Sequence, residues 1–127
     1  TQVVSVKTVR DKMFVTVDGS AFNTKPTFHA INPPFEVISA SGRTAPTQTV
    51  DVVGSTCMEK DVLLKNAAVP MPAVGDFIRL DNVGAYTVVM TPPFINPAPA
   101  ILAQEADEVV CVRRRQTLDD VFAGYQL

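Results

Sequence analysis

Very little in this sequence points to help from disulfides, metals or membranes. Only two cysteines occur, Cys57 and Cys111, too few for a disulfide scaffold. A reducing compartment, the cytoplasm, is therefore the expected location. There is a single histidine, His29, and no metal site is expected. No apolar run approaches the ~20 residues that span a bilayer, and Thr1 to Val9 lacks the apolar segment of a signal peptide. Net charge is −2, which removes any bulk attraction to nucleic acid or acidic lipid. The only basic run, Arg113-Arg114-Arg115, reads as a solvated strand end. Internal repeats and long flexible linkers are also missing. The first residue is not Met, which fits a piece trimmed or processed from something longer.

What is present is a half-apolar, strand-rich pattern. At 46% hydrophobic residues, the chain can bury a core of its own. Val4, Val6 and Thr8 alternate against Val3, Ser5 and Lys7, which is strand periodicity. Met13 to Val17 follows the polar break Arg10-Asp11-Lys12, and the two runs read as a hairpin. Further strands are expected at Thr24 to Ile31 (with Pro26 at an edge), Phe35 to Ser39, Thr47 to Val53, Phe77 to Leu80, Ala85 to Met90, Ala100 to Gln104 and Val109 to Arg113. Thr91 to Pro99 holds four prolines and cannot be a central strand. Thr117, followed by Asp119 and Asp120, predicts a capped C-terminal helix. A second helical turn is expected near Asp61 to Lys65. The fold class that follows is all-β: a Greek-key-like barrel or sandwich with one short C-terminal helix, spanning residues 1–127 as a single domain.

Four local patterns carry more than fold. They are Asp18-Gly19 with Phe22-Asn23, Gly54-Ser55-Thr56-Cys57-Met58-Glu59-Lys60-Asp61, Val74-Gly75-Asp76-Phe77, and Val83-Gly84-Ala85-Tyr86-Thr87. Their order and spacing resemble the C-terminal β domain of the pyridoxal phosphate (PLP) dependent diaminopimelate, ornithine and arginine decarboxylases. That family shows G-P-x-C-[DE]-x-x-D, then G-D, then G-A-Y. Arg113 to Thr117 followed by a short helix is similar to the family's C-terminus.

The resemblance implies roles. Cys57 is the implied proton donor to the carbon that has lost CO₂, reaching a neighbouring subunit's cofactor. A thiol with a reference pKa of roughly 8.5 holds a proton at neutral pH and can release it. The plain alternative for a lone cysteine is a small buried thiol, and Cys111, inside the apolar run Val109 to Val112, fits that alternative. Tyr86 is the implied ligand of the cofactor phosphate. A phenol donates one hydrogen bond without adding charge, and Gly84 and Ala85 leave room for close approach. The alternative is an ordinary core tyrosine. Asp61 is expected to cap the following turn or orient the cysteine loop, and Asp76 to be a turn residue only.

The departures from the family pattern concern the substrate. Relatives acting on diamino acids place Asp or Glu directly after the cysteine to receive the distal ammonium. Here that position is Met58, which cannot pair a cation. Glu59 is the nearest acid, but in an extended segment its side chain would point away from that of Met58. Either the loop bends to bring Glu59 in, or the far end of the substrate is not a free ammonium. The second reading is preferred and suits a decarboxylase of specialised metabolism, such as a siderophore pathway, acting on a conjugated amino acid. Lys25-Pro26-Thr27-Phe28-His29 aligns with a segment R-P-x-x-Y of diaminopimelate decarboxylases. Lys25 keeps the charge without the arginine fork, and His29 stands where tyrosine is usual. Ser55 replaces a usual proline, and Phe94-Ile95-Asn96 interrupts an aromatic-Asn pair. These differences argue against a housekeeping diaminopimelate decarboxylase.

The family's PLP lysine and most phosphate contacts belong to an N-terminal TIM-type barrel, which needs about 200 residues and has no room here. The chain is expected to be inactive alone, to bind PLP mainly through that barrel, and to work as a homodimer on a small amino-acid substrate. Two alternatives stay open. One keeps the fold but makes the protein a PLP racemase or a non-catalytic homologue. Racemases take a base tyrosine from this domain, and the first half of the chain has none. The other is an independent β-barrel binding module.

Overall fold

A computed structural model describes residues 1–24 and 31–126. The chain forms two compact units, Thr1–Met90 and Thr91–Leu127.

The first unit is built on a four-stranded sheet. Strands β1 (Val3–Val9) and β2 (Lys12–Val17) form an antiparallel hairpin, with Val9 opposite Lys12. Arg10 and Asp11 both take positive φ, at 47° and 63°. This left-handed pair matches the twist of the flanking strands. Strand β4 (Thr47–Val53) lies parallel to β2 and antiparallel to β5 (Val62–Pro70), so the order is β1-β2-β4-β5. Val15, Val17, Val50, Val52, Leu64 and Val69 are buried at its centre. Each fully buried Val or Leu contributes roughly 1.5–3 kcal/mol. A second, two-stranded sheet pairs β3 (Phe35–Ile38) with β6 (Phe77–Leu80). It is tied to β1 by a bridge between Gln2 and Phe77 and by exchanged backbone bonds, Val3 N to Asp76 O and Gly75 N to Val3 O.

Irregular strand pairing upsets simple alternation in β1 and β5. A register shift between Val3 and Ser5 lets Val3 and Val6 both reach the core while Val4 is exposed. The expected shared face of Val4 and Val6 is therefore not formed. In β5, Lys65 and Asn66 together oppose Asp51, which makes a β-bulge. Asn66 sits at φ 49°, its N–H bonds the Asp51 carboxylate at 2.7 Å, and Lys12 pairs with the same carboxylate at 2.6 Å.

Segments expected as other elements differ for physical reasons. Asp61 to Lys65 is not a helical turn. Val62 onward pairs with β4, whose apolar face needs a partner. Ala85 to Met90 is not a strand. Gly84 at φ 107° and Tyr86 at φ 65° cannot continue an extended chain, and Thr87–Met90 forms a one-turn helix, α2. A further short helix, α1 (Ala21–Thr24), follows β2. The expected strand Thr24 to Ile31 lies mostly outside the described residues, and Thr24 itself ends α1.

Asp76 is more than a turn residue. It is buried and accepts hydrogen bonds from Ala73 N at 2.8 Å, Ala40 N at 2.9 Å and Arg43 at 2.9 Å. Those donors, the Ala73 amide foremost, hold its carboxyl below the usual value against the opposing effect of burial. A cavity of about 220 Å³ beside this ion pair is lined by Val37, Arg43, Pro70, Met71 and neighbours, and takes in no residue of the cysteine loop.

The second unit is the hairpin of β7 (Ile101–Glu105) and β8 (Glu108–Arg113), followed by α3 (Leu118–Phe122). Thr117 caps α3 in a full capping box with Asp120, as the sequence predicts. Arg114 grips the Asp120 carboxylate with two nitrogens, at 2.6 and 2.7 Å. Gln116 and Ala98, which flank this hairpin, exchange bonds at 3.0 and 3.2 Å. Cys111 is exposed on β8, contrary to the buried thiol expected of it. Among the described residues the fold is mostly sheet with three short helices rather than one, and the strands form three sheets, not a closed barrel.

Candidate active site

Strand β4 is clamped between β2 and β5. Its C-terminal end is therefore a rigid point from which the next residues are launched. Gly54 follows it directly. Its N–H donates to Asp61 O at 2.8 Å, closing the base of the loop 55–60. A Cβ on Gly54 would overlap the Asp61 carboxylate, so only glycine fits.

Asp61 organises everything around this loop. It is 3% exposed, and its carboxylate accepts four hydrogen bonds. One oxygen takes Ser20 Oγ at 3.0 Å and Ala21 N at 2.7 Å. The other takes Thr56 N at 3.1 Å and Thr56 Oγ1 at 2.6 Å. A buried carboxylate is stable only when so satisfied. The Asp18-Gly19 turn adds two more ties, Ser55 N to Gly19 O at 2.9 Å and Ser55 Oγ to Asp18 O at 3.2 Å. Two sequence patterns far apart in the chain thus meet at one carboxylate.

Cys57 is exposed on this loop and forms no disulfide. Met58 is 44% exposed and Glu59 is exposed. Asp61 N donates to Met58 O at 3.0 Å, which makes Glu59 and Lys60 the corner of a turn. The segment is therefore not extended, and strand alternation gives no reason to separate Glu59 from Met58. Lys25 and His29 lie outside the described residues.

Tyr86 is joined to the same region through α1. Ala21, the first residue of α1, is held by Asp61. Thr24, its last residue, accepts Gly84 N at 3.3 Å. Tyr86 is 69% exposed and sits at φ 65°, a left-handed conformation that a non-glycine residue adopts at some cost. Its phenol can donate one hydrogen bond to a phosphate oxygen, and Gly84 and Ala85 put no bulk in the way. The structure thus links Cys57, Asp61 and Tyr86 through one short helix. Ser20 and Thr56 belong to the arrangement too, although sequence reasoning passes over two such ordinary hydroxyl residues. Their one signal is placement, immediately after Asp18-Gly19 and immediately before Cys57.

The family model described as "Pyridoxal-dependent decarboxylase, C-terminal sheet domain" matches residues 1–84. The chain belongs to this family. The diaminopimelate decarboxylase of Helicobacter pylori is 32% identical over 126 residues, covering 96% of this chain and 30% of that protein. That of Escherichia coli strain K12 is 30% identical over 137 residues, covering 97% and 32%. The crystal structure of the H. pylori enzyme complexed with L-lysine superposes with a TM-score of 0.81 at 31% identity, covering 96% of this chain and 30% of that one. The chain thus spans about a third of the length of these decarboxylases.

Proposed function

We propose that this domain supplies one wall of an amino-acid decarboxylase active site, completed by an N-terminal barrel and a second subunit in a homodimer. The observation that carries the reading is an exposed Cys57 held on a loop fixed at both ends by Asp61 and Gly54. In this reading Cys57 is the proton donor. When the bond from the α-carbon to CO₂ breaks, its electron pair takes the proton from Sγ. A C–H bond forms, and the thiolate left behind regains a proton from solvent. Bound PLP, held mainly by the barrel, supplies the electron sink that makes CO₂ departure feasible. Tyr86 donates a hydrogen bond to the cofactor phosphate from its exposed position on the turn after Gly84.

Met58, with Glu59 and Lys25, reads the substrate's far end. A thioether in place of a carboxylate favours an amino acid whose distal amine is already conjugated, as in specialised pathways such as siderophore assembly. The turn at Glu59 and Lys60 supports a second reading, in which Glu59 receives a free distal ammonium. The test is the full-length enzyme carrying Cys57→Ala, assayed for CO₂ and amine on free diamino acids and on their amide-capped analogues. Unchanged turnover in the variant removes Cys57 from the chemistry. Preference of the wild type for free diaminopimelate, ornithine or lysine rejects the conjugated substrate.

A further inference from the structure

We infer that Thr56 is a positioning residue for Cys57, an inference that rests on the reading of Cys57 as proton donor. A single hydroxyl ties both neighbours of the thiol. Thr56 Oγ1 donates to the Asp61 carboxylate at 2.6 Å and accepts from Met58 N at 3.3 Å. Cys57 is therefore the middle residue of a turn closed by its predecessor's side chain. Thr56 N reinforces the anchor through its own bond to Asp61 at 3.1 Å. On the far side, Asp61 N to Met58 O at 3.0 Å closes the next turn.

These bonds hold the backbone on either side of Cys57 at Thr56 and Met58, and the Thr56 hydroxyl is common to both residues. Ser55 cannot do this work, because its hydroxyl is engaged with Asp18 O. Asp61 cannot do it alone, because its carboxylate reaches the loop through Thr56. A proton donor must lie within hydrogen-bond reach of its target. A displacement of about 1 Å can lower the rate by about 100-fold. Thr56 does not touch the reacting atoms. It acts through the backbone position of Cys57.

Valine matches threonine in shape and lacks the hydroxyl, whereas serine keeps it. In the full-length, PLP-loaded enzyme, Thr56→Val is expected to lower kcat by about 10- to 100-fold with KM within about threefold. Thr56→Ser should stay within about twofold of wild type. Hydrogen exchange gives a readout independent of turnover. In the cofactor-free full-length protein, the Met58 amide should exchange about 2- to 10-fold faster in Thr56→Val, the equivalent of one lost neutral hydrogen bond. It should be unchanged in Thr56→Ser.

A Thr56→Val enzyme with wild-type kcat, alongside a Cys57→Ala enzyme that has lost activity, overturns the positioning role and leaves the proton donor standing. A fully active Cys57→Ala enzyme overturns both. Loss of activity in Thr56→Ser equal to that in Thr56→Val also overturns the hydroxyl's role. If Thr56→Val does not fold, Thr56→Ala is read by the same two measurements and the same criteria.

Discussion

The carboxylate of Asp61 fills the space that a side chain on Gly54 would need. The two residues also share a backbone bond, Gly54 N to Asp61 O at 2.8 Å, so Gly54 cannot move aside without opening the loop. Gly54→Ala must push either the carboxylate or the end of β4. Overpacking of this kind costs about 1–3 kcal/mol, and here it also loosens the donors gathered on Asp61. Thermal melting should show the loss. A Gly54→Ala variant as stable as wild type would show that the loop has slack.

Asp61 itself gives a graded test. Asp61→Asn keeps the shape, but its NH₂ faces two of the donors instead of accepting from them. Asp61→Ala leaves Ser20, Ala21 and Thr56 groups without an acceptor in a buried place. Each unsatisfied buried donor costs about 1–3 kcal/mol, so the alanine variant should lose several kcal/mol. The asparagine variant should fall between. Urea denaturation of the two against wild type gives the order, and equal stability of all three would contradict the geometry.

Asp76 predicts the response to acid. Backbone donation from Ala73, opposed by burial and joined by Ala40 N and the Arg43 guanidinium, lowers its pKa from the ordinary 3.8. A carboxyl depressed on folding contributes stability that is fully present above the unfolded value. That stability is lost as pH falls through the folded one. The stability gap between wild type and Asp76→Asn should therefore be flat across neutral pH. It should narrow below about pH 4. Denaturation midpoints measured between neutrality and about pH 3 decide it, and a gap that widens in acid would be the wrong sign.

These relationships explain which parts of the fold are legible in the sequence. The hairpin of β1 and β2, strand β4 and the capped helix α3 follow local rules, and their residues announce them. β5 is hidden because two register shifts against β4 break its alternation: Leu63 and Leu64 are buried side by side at one, and Lys65 and Asn66 are both exposed at the other. The turn at Tyr86 reads as strand because nothing in Gly84-Ala85-Tyr86-Thr87 betrays a positive φ on a tyrosine. The cysteine loop is legible as a motif, but its anchoring is not. Ser20 and Thr56 meet Asp61 only in three dimensions, and threonine and serine are too common to stand out.

Met58 separates the two substrate readings. If the residue after Cys57 reads the far end of the substrate, Met58→Asp should restore an acceptor for a distal ammonium. A hydrogen bond to a charged group contributes about 1.5–3 kcal/mol. The ratio of kcat/KM for a free diamino acid over its amide-capped analogue should then rise by about tenfold or more. If Glu59 already fills that role, Glu59→Gln should lower the same ratio while Met58→Asp changes it little. Steady-state kinetics of both variants on both substrates distinguishes these outcomes.

Tyr86 combines strain with a proposed contact, and two substitutions separate them. Its φ of 65° is a conformation that glycine adopts freely and a tyrosine only at a cost of about 1 kcal/mol or more. Tyr86→Gly should therefore leave the folded domain as stable as before or slightly more stable, because little packing is lost from a ring that is 69% exposed. Tyr86→Phe keeps the strain and the ring but removes the donor. In the full-length enzyme both variants should bind PLP more weakly, by about 10-fold or more for one bond to a charged phosphate, as read by cofactor titration in absorbance. The informative pattern is weaker cofactor binding without weaker folding, since a core tyrosine would show the reverse. Retained PLP affinity in Tyr86→Phe would mean that the strained turn serves something other than the phosphate.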